Sequence, residues 1–308
     1  MKMQILNLIL FLSLAVSILS FTGCVTVEQT IYLGDVEANG PLITPPSHVD
    51  LNNEVGSVTV SPKFSFVGEK SITGSTNDRY NSTFNFPDGT NYTAHNENLL
   101  WNLSNYTAGV DINIKLHRSY SVFGGVNLSE GNNKNFTGGY LGIGFHTDKS
   151  NPAMRFDLGL NVQNFDYYAV TIVNTKTTSF FGSSDSTKIF LDKGSSTNFN
   201  PFFSLTINST NNTSAINYFG TLGFFTQSIL NFHPGETRFD GYLPPLYIGT
   251  TVDQRASFTN YFLYLNPGLN LNLNPKINLL LSAKVIKDIS LSSNKFIVVP
   301  SMQMDFQF

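Results

Sequence analysis

The ionisable side chains of this chain fall into two settings. Lys63, Asp111, Lys115, Arg155, Asp157, Lys284 and Asp305 occupy alternate positions of strand-like segments, with His117 and His146 near segment ends. Cations and carboxylates along one face could relay protons or line an ion path. They could equally pair with one another inside a narrow enclosure. The second set lies in long irregular stretches: Asp78, Asp88, His95 and Glu97, then His233, Glu236, Arg238 and Asp240. Two carboxylates and a histidine brought together could activate a water, whereas scattered they are solvated loop charges. No metal-ligand spacing, P-loop or dinucleotide fingerprint occurs, and Gly131-Asn132-Asn133-Lys134-Asn135 reads as a polar hairpin tip. The expectation is therefore no enzyme, no cofactor and no catalytic or metal-binding residue.

Composition narrows the class. Of 308 residues 41% are hydrophobic and 13% charged, the latter about half the usual share. Asn, Ser and Thr make up the difference. The 27 Phe and 13 Tyr argue against disorder, and a net charge of -3 argues against a nucleic-acid partner. Cys24 is the single cysteine, so no intramolecular disulfide forms.

The elements that must carry these residues are strands. Met154, Phe156, Leu158, Leu160 and Val162 alternate with Arg155, Asp157, Gly159, Asn161 and Gln163. Val110, Ile112, Ile114 and Leu116 alternate with Asp111, Asn113, Lys115 and His117, and 277–285 repeats the pattern. Such alternation sets one face in an apolar medium and the other in a polar one. Many of these segments are long enough to cross a bilayer as tilted strands, and their apolar faces carry no charge. Ten strands are expected, at 56–67, 106–117, 119–129, 136–146, 152–165, 197–208, 214–227, 257–271, 275–286 and 295–308, with eight or twelve as neighbouring counts. Segment 166–174 also alternates and reads as the fifth strand continuing above the membrane. Short connections alternate with longer ones. The fold expected is all-β: an antiparallel up-and-down transmembrane β-barrel, its seven ionisable residues lining the lumen.

Both ends add signals. Met1–Gln4 is short and basic, Ile5 to Phe21 is apolar, and Gly23 precedes Cys24, as in a secretory signal peptide. The stretch Leu19–Cys24 resembles the bacterial lipoprotein signal, which implies acylation of Cys24 and removal of 1–23. Val25 in place of Asp implies, by the same resemblance, release from the inner membrane. The chain ends with Met302, Met304, Phe306 and Phe308 on one face. That ending resembles the assembly signal of bacterial outer-membrane β-barrel proteins, read in that family by the barrel-assembly machinery. The resemblance covers roughly 55–308 and implies short turns in the periplasm and longer loops outside. The domains expected are a signal peptide at 1–23, a lipid-anchored periplasmic linker at 24–54 and an outer-membrane barrel at 55–308. Both termini would then be periplasmic. Whether the proline-broken linker hangs free or enters the lumen stays open.

Three functions follow. The first is a structural scaffold, with outer-membrane lipids and an extracellular ligand as partners. Its long loops carry Phe84, Phe86, Tyr92 and Trp101, then Phe180, Phe181 and Phe190, then Phe239, Tyr242 and Tyr247, which suit either binding or packing. The second is a narrow channel for small solutes or ions. The third is a rim hydrolase resembling omptin-type proteases, whose acidic motifs find no match here.

Overall fold

The computed structural model describes residues 26–49, 54–68, 71–74, 81–85, 91–95, 99–131, 134–147, 151–179, 182–210, 214–232, 250–290 and 296–308. The signal segment and Cys24 lie outside them. So do Asp78, Phe86, Asp88, Glu97, Phe180, Phe181, His233, Glu236, Arg238, Phe239, Asp240, Tyr242 and Tyr247.

Every regular element among the described residues is a strand. They are β1 (Thr26–Gly40), β2 (Val58–Phe66), β3 (Ser71–Gly74), β4 (Asn81–Asn85), β5 (Asn91–His95), β6 (Leu99–Leu103), β7 (Tyr106–His117) and β8 (Tyr120–Gly131). Then follow β9 (Lys134–His146), β10 (Ala153–Ser179), β11 (Gly182–Asn208), β12 (Ile216–Phe232), β13 (Thr250–Asn274), β14 (Ile277–Asp288) and β15 (Phe296–Gln307). Strands β2 and β7 to β15 pair antiparallel, neighbour with neighbour, and β15 returns to β2. This is the expected closed barrel of ten strands.

The alternation decides which face each side chain takes. Met154, Phe156, Leu158 and Leu160 point outward and are exposed, as are Val110, Ile112, Leu141, Ile143, Leu263 and Leu265. Arg155, Asp157 and Asn161, one position along, are buried inside. An apolar exterior of this extent belongs in hydrocarbon, where the ladder satisfies every strand's backbone and closure leaves no free edge.

The lumen is filled in two layers. Toward the long hairpins it is aromatic: Trp101 meets the Phe165 ring edge-on at 5.6 Å between centroids, and Phe225 stacks on Phe262 at 4.8 Å. Toward the short turns it is polar, with Asn208, Asn217, Asn270 and Asn278 buried beside the charged residues. Part of the chain's asparagine thus serves as lumenal filling. Trp101, one of the candidate loop aromatics, is fully buried and packs the core.

Segment 166–174 continues the fifth strand as expected, and two expected loops contain further strand. β10 and β11 pair from Ala153↔Asn208 out to Ser179↔Gly182, through the stretch 166–196. Stretch 68–105 contains β3 to β6. The larger correction concerns the linker at 24–54. Of the two placements left open, its described part takes the lumen at 41–49, while Thr26–Gly40, read as irregular, is strand β1. Strand β1 runs antiparallel to β10, from Thr26↔Thr178 to Asn39↔Asp166. Thr26 therefore lies at the tip of the long hairpin, whereas Phe308 lies at the short-turn end. Linker composition misled because Pro41, Pro45 and Pro46 end a strand without preventing an extended chain from being held by others.

β15 closes on β2 from Ser301↔Ser65 to Gln307↔Thr59, and Phe308 extends the ladder by one pair. Val58 N–H donates to Phe308 C=O at 3.2 Å and Phe308 N–H donates to Val58 C=O at 2.9 Å. Met302 and Phe308 are exposed on the outer face. Deleting Phe308 removes both bonds and the apolar terminus. The expected result is a lower folded fraction in the membrane, read as the cold-versus-boiled difference in gel mobility.

Candidate functional site

The polar layer of the lumen converges on a residue of the threaded segment. His48 Nε2 donates to Asp111 Oδ2 at 2.9 Å, and its Nδ1 donates to Asp157 Oδ2 at 3.1 Å. Asp111 comes from β7 and Asp157 from β10, at well-separated places on the wall. With both carboxylates ionised, and so acceptors only, both ring nitrogens carry hydrogen and His48 is an imidazolium.

Each carboxylate has further partners. Arg155 Nε donates to Asp157 Oδ1 at 2.7 Å, and its Nη2 donates to Asn113 Oδ1 at 3.0 Å. Tyr140 OH donates to Asp111 Oδ1 at 2.8 Å and itself accepts from Lys63 Nζ at 2.7 Å. The Phe123 ring lies 4.5 Å from the His48 ring, with the Arg155 guanidinium over it at 5.6 Å. The result is one continuous network, Lys63–Tyr140–Asp111–His48–Asp157–Arg155, buried in the barrel.

Two glycines make room for it. A Cβ at Gly144 would sit 2.5 Å from both Arg155 Nη2 and Asp157 Oδ1. One at Gly125 would sit 2.5 Å from the Tyr140 hydroxyl. In a strand, glycine of this kind marks a close approach of other groups to the backbone.

The rest of the thread is held in the same manner. Trp101 Nε1 donates to Gly40 C=O at 3.2 Å and Gln227 Nε2 to Pro41 C=O at 2.9 Å. Lys284 Nζ donates to Pro45 C=O at 2.6 Å. Asn266 Nδ2 donates to Ser47 Oγ at 2.7 Å and Gln303 Nε2 to Ser47 C=O at 3.3 Å. Val49 packs with Phe219 and Leu280 near the lower end. In these contacts β6 and the wall supply the donors and the thread the acceptors, the reverse of the arrangement at His48. Three prolines bring no N–H into the lumen that would need an acceptor.

All seven ionisable residues named from the sequence point inward. Lys63, Asp111, Arg155 and Asp157 belong to the network just described, and Lys284 holds the thread higher up. Asp305 accepts from Gln303 Nε2 at 2.8 Å, and Lys115 is buried nearby with His48, Arg155 and Asp305 around one void. His146 is buried at the short-turn end, while His117 is exposed and stacks on Tyr120. His48 was not singled out by sequence. The available signal was its setting: the stretch Gly40–Val49 carries no Lys, Arg, Asp or Glu, which is unusual for a solvated linker.

Geometrically the arrangement is a lock between thread and wall, one ring spanning two carboxylates that come from β7 and β10. Among the described residues no group of His, Cys, Asp and Glu is arranged to hold a metal ion.

No family model matches the sequence, and no curated protein does. Solved structures resemble it at low identity. The translocator domain of the autotransporter NalP from Neisseria meningitidis is 10% identical, with a TM-score of 0.33 over 83% of this chain and 90% of that one. The outer membrane protease OmpT from Escherichia coli is 9% identical, with a TM-score of 0.31 over 82% and 94%. The monoaromatic hydrocarbon channel CymD is 8% identical, with a TM-score of 0.30 over 84% and 90%. At these scores the likeness carries nothing about ligand or activity.

Replacing His48 with Ala leaves two buried carboxylates without their shared cation, a loss expected to cost about 3–5 kcal/mol. Gly144→Val should also destabilise, by forcing Arg155 off Asp157. Urea unfolding of the refolded barrel measures both. A His48→Ala midpoint equal to that of the parental chain contradicts the lock.

Proposed function

We propose that the chain is a bacterial outer-membrane barrel that stands closed and acts as a scaffold for structure at the cell surface. The observation that carries this reading is the thread. Residues 40–49 lie along the lumen, held by side chains from β6, β7, β10, β12, β13, β14 and β15. The void beside it, lined by residues such as Thr44, Ser65, Thr107 and Ser301, is about 40 Å³, room for a few water molecules. The outward apolar faces support placement in a membrane, with outer-membrane lipids as the surrounding partner. The alternation of short turns with long hairpins supports short turns in the periplasm, as in bacterial barrels of this type.

The surface structure available for binding is the extension of β10 and β11, to which β1 and β13 add. Val27↔Thr250 to Tyr32↔Arg255 pair in parallel, so β1 ties the upper ends of β10 and β13 together. An extracellular ligand would meet this sheet and the loops around it. A channel would need the thread displaced, and a rim hydrolase would draw on loop residues outside the described ones. Acylation of Cys24 and recognition of Met302, Met304, Phe306 and Phe308 by the barrel-assembly machinery belong to the same reading. Incorporation of labelled palmitate, lost in Cys24→Ala, checks the first.

Planar-bilayer recording tests the closed scaffold. The full chain should show no steady single-channel steps, and a refolded chain beginning at residue 50 should show them. Steady steps from the full chain, with ion selectivity altered in Lys115→Ala or Arg155→Ala, would replace the scaffold by the channel.

A further inference from the structure

The direction of the thread fixes which side of the membrane the N-terminal end of the protein occupies. We infer that the chain enters its own barrel from the cell surface, so that the end preceding Thr26, Cys24 included, is displayed outside the cell. This rests on the outer-membrane reading above and adds to it a surface-displayed N-terminus.

The polarity follows from register. Strand β10 rises from Ala153, next to a short turn, to Ser179 at the hairpin tip. β1 pairs with it antiparallel and so descends, from Thr26 beside Thr178 to Asn39 beside Asp166. From there Trp101 takes Gly40, Lys284 takes Pro45, and Asp111 with Asp157 takes His48. The chain then leaves the short-turn end and turns into β2, whose Val58 pairs with Phe308. Surface, lumen and periplasm are passed in that order.

Reach excludes the alternative placement of Cys24. Thr26 to Asn39 is roughly 45 Å of extended chain at about 3.3 Å per residue. Cys24 is two residues before Thr26, a tether of about 7 Å. It cannot turn back to the periplasmic leaflet while β1 holds its register. An acyl group carried by Cys24 therefore lies on the surface side, and anchoring in the inner leaflet is incompatible with the threaded state. Threading also explains why the lumen is built around a segment that has no role in the barrel wall.

Labelling of intact cells with a membrane-impermeant maleimide tests this. The chains carry Thr26→Cys, Ser183→Cys or Glu54→Cys, and the parental chain measures what Cys24 itself contributes. Thr26→Cys and Ser183→Cys should label several-fold above the parental chain in intact cells. Glu54→Cys should label only after the outer membrane is permeabilised. Label at Ser183→Cys, with Thr26→Cys reached only after permeabilisation, overturns the threading and leaves the barrel standing. No label at Ser183→Cys in intact cells overturns the surface orientation itself, and the inference with it. A second measurement needs no cell. Thr30→Cys and Asn174→Cys sit opposite each other in the register, and mild oxidation of the extracted barrel should join them. A heat-modifiable barrel that does not cross-link refutes the descending strand.

Discussion

Two carboxylates, Asp111 and Asp157, face one point inside the barrel, and a single cation, the ring of His48, stands between them. A buried carboxylate keeps its charge only where partners replace the water it has lost. Here the replacement is shared. Arg155 serves one end of the network and Lys63, through Tyr140, the other, but only His48 touches both acids. It does not belong to the wall. The barrel's most charged layer is therefore complete only when the N-terminal segment lies inside it. The glycines at 125 and 144, the ring of Phe123 and the amide of Asn113 are arranged around that requirement.

The wall was legible in the sequence because its physics is local. Alternation at 154–163 places Arg155 and Asp157 on one face whatever their partners are, and a hydrocarbon exterior forbids charge on the other. Strand count and the inward direction of Lys63, Lys115, Lys284 and Asp305 follow from the same rule. Boundaries were less well marked where strands outlast the membrane. In β10 the apolar face gives way after Val162 to Asn164 and Asp166, yet pairing with β11 continues to Ser179. The alternation returns at Tyr168, Val170 and Ile172 and lapses from Asn174, where no lipid imposes it, while the hydrogen bonds persist.

The thread was illegible for a different reason. Nothing within 40–49 repeats, and prolines there read as interruption. What defines the segment is its partners: Gln227, Asn266, Lys284 and Gln303, distant in sequence, each donate to it. Such contacts leave no periodic trace. Trp101 failed to declare itself for the same reason. It stands in a long stretch between strands and looks like a surface aromatic, yet it closes over Gly40 at the top of the lumen.

Wall and thread are consecutive parts of one chain, and that constrains how the molecule is completed. The thread runs to Val49, and Val58 begins the first wall strand. The last strand closes on that same strand, through Phe308 and Val58. A segment of this length cannot be drawn through a finished ring already filled by Trp101, Phe165 and Phe262 without unpacking them. Closing β15 onto β2 around a segment already in place requires no such unpacking. The buried charge then acts twice. Before closure, Asp111 and Asp157 without His48 oppose bringing β7 and β10 into a dry lumen. With His48 between them, the same carboxylates draw the two parts of the wall toward a common centre.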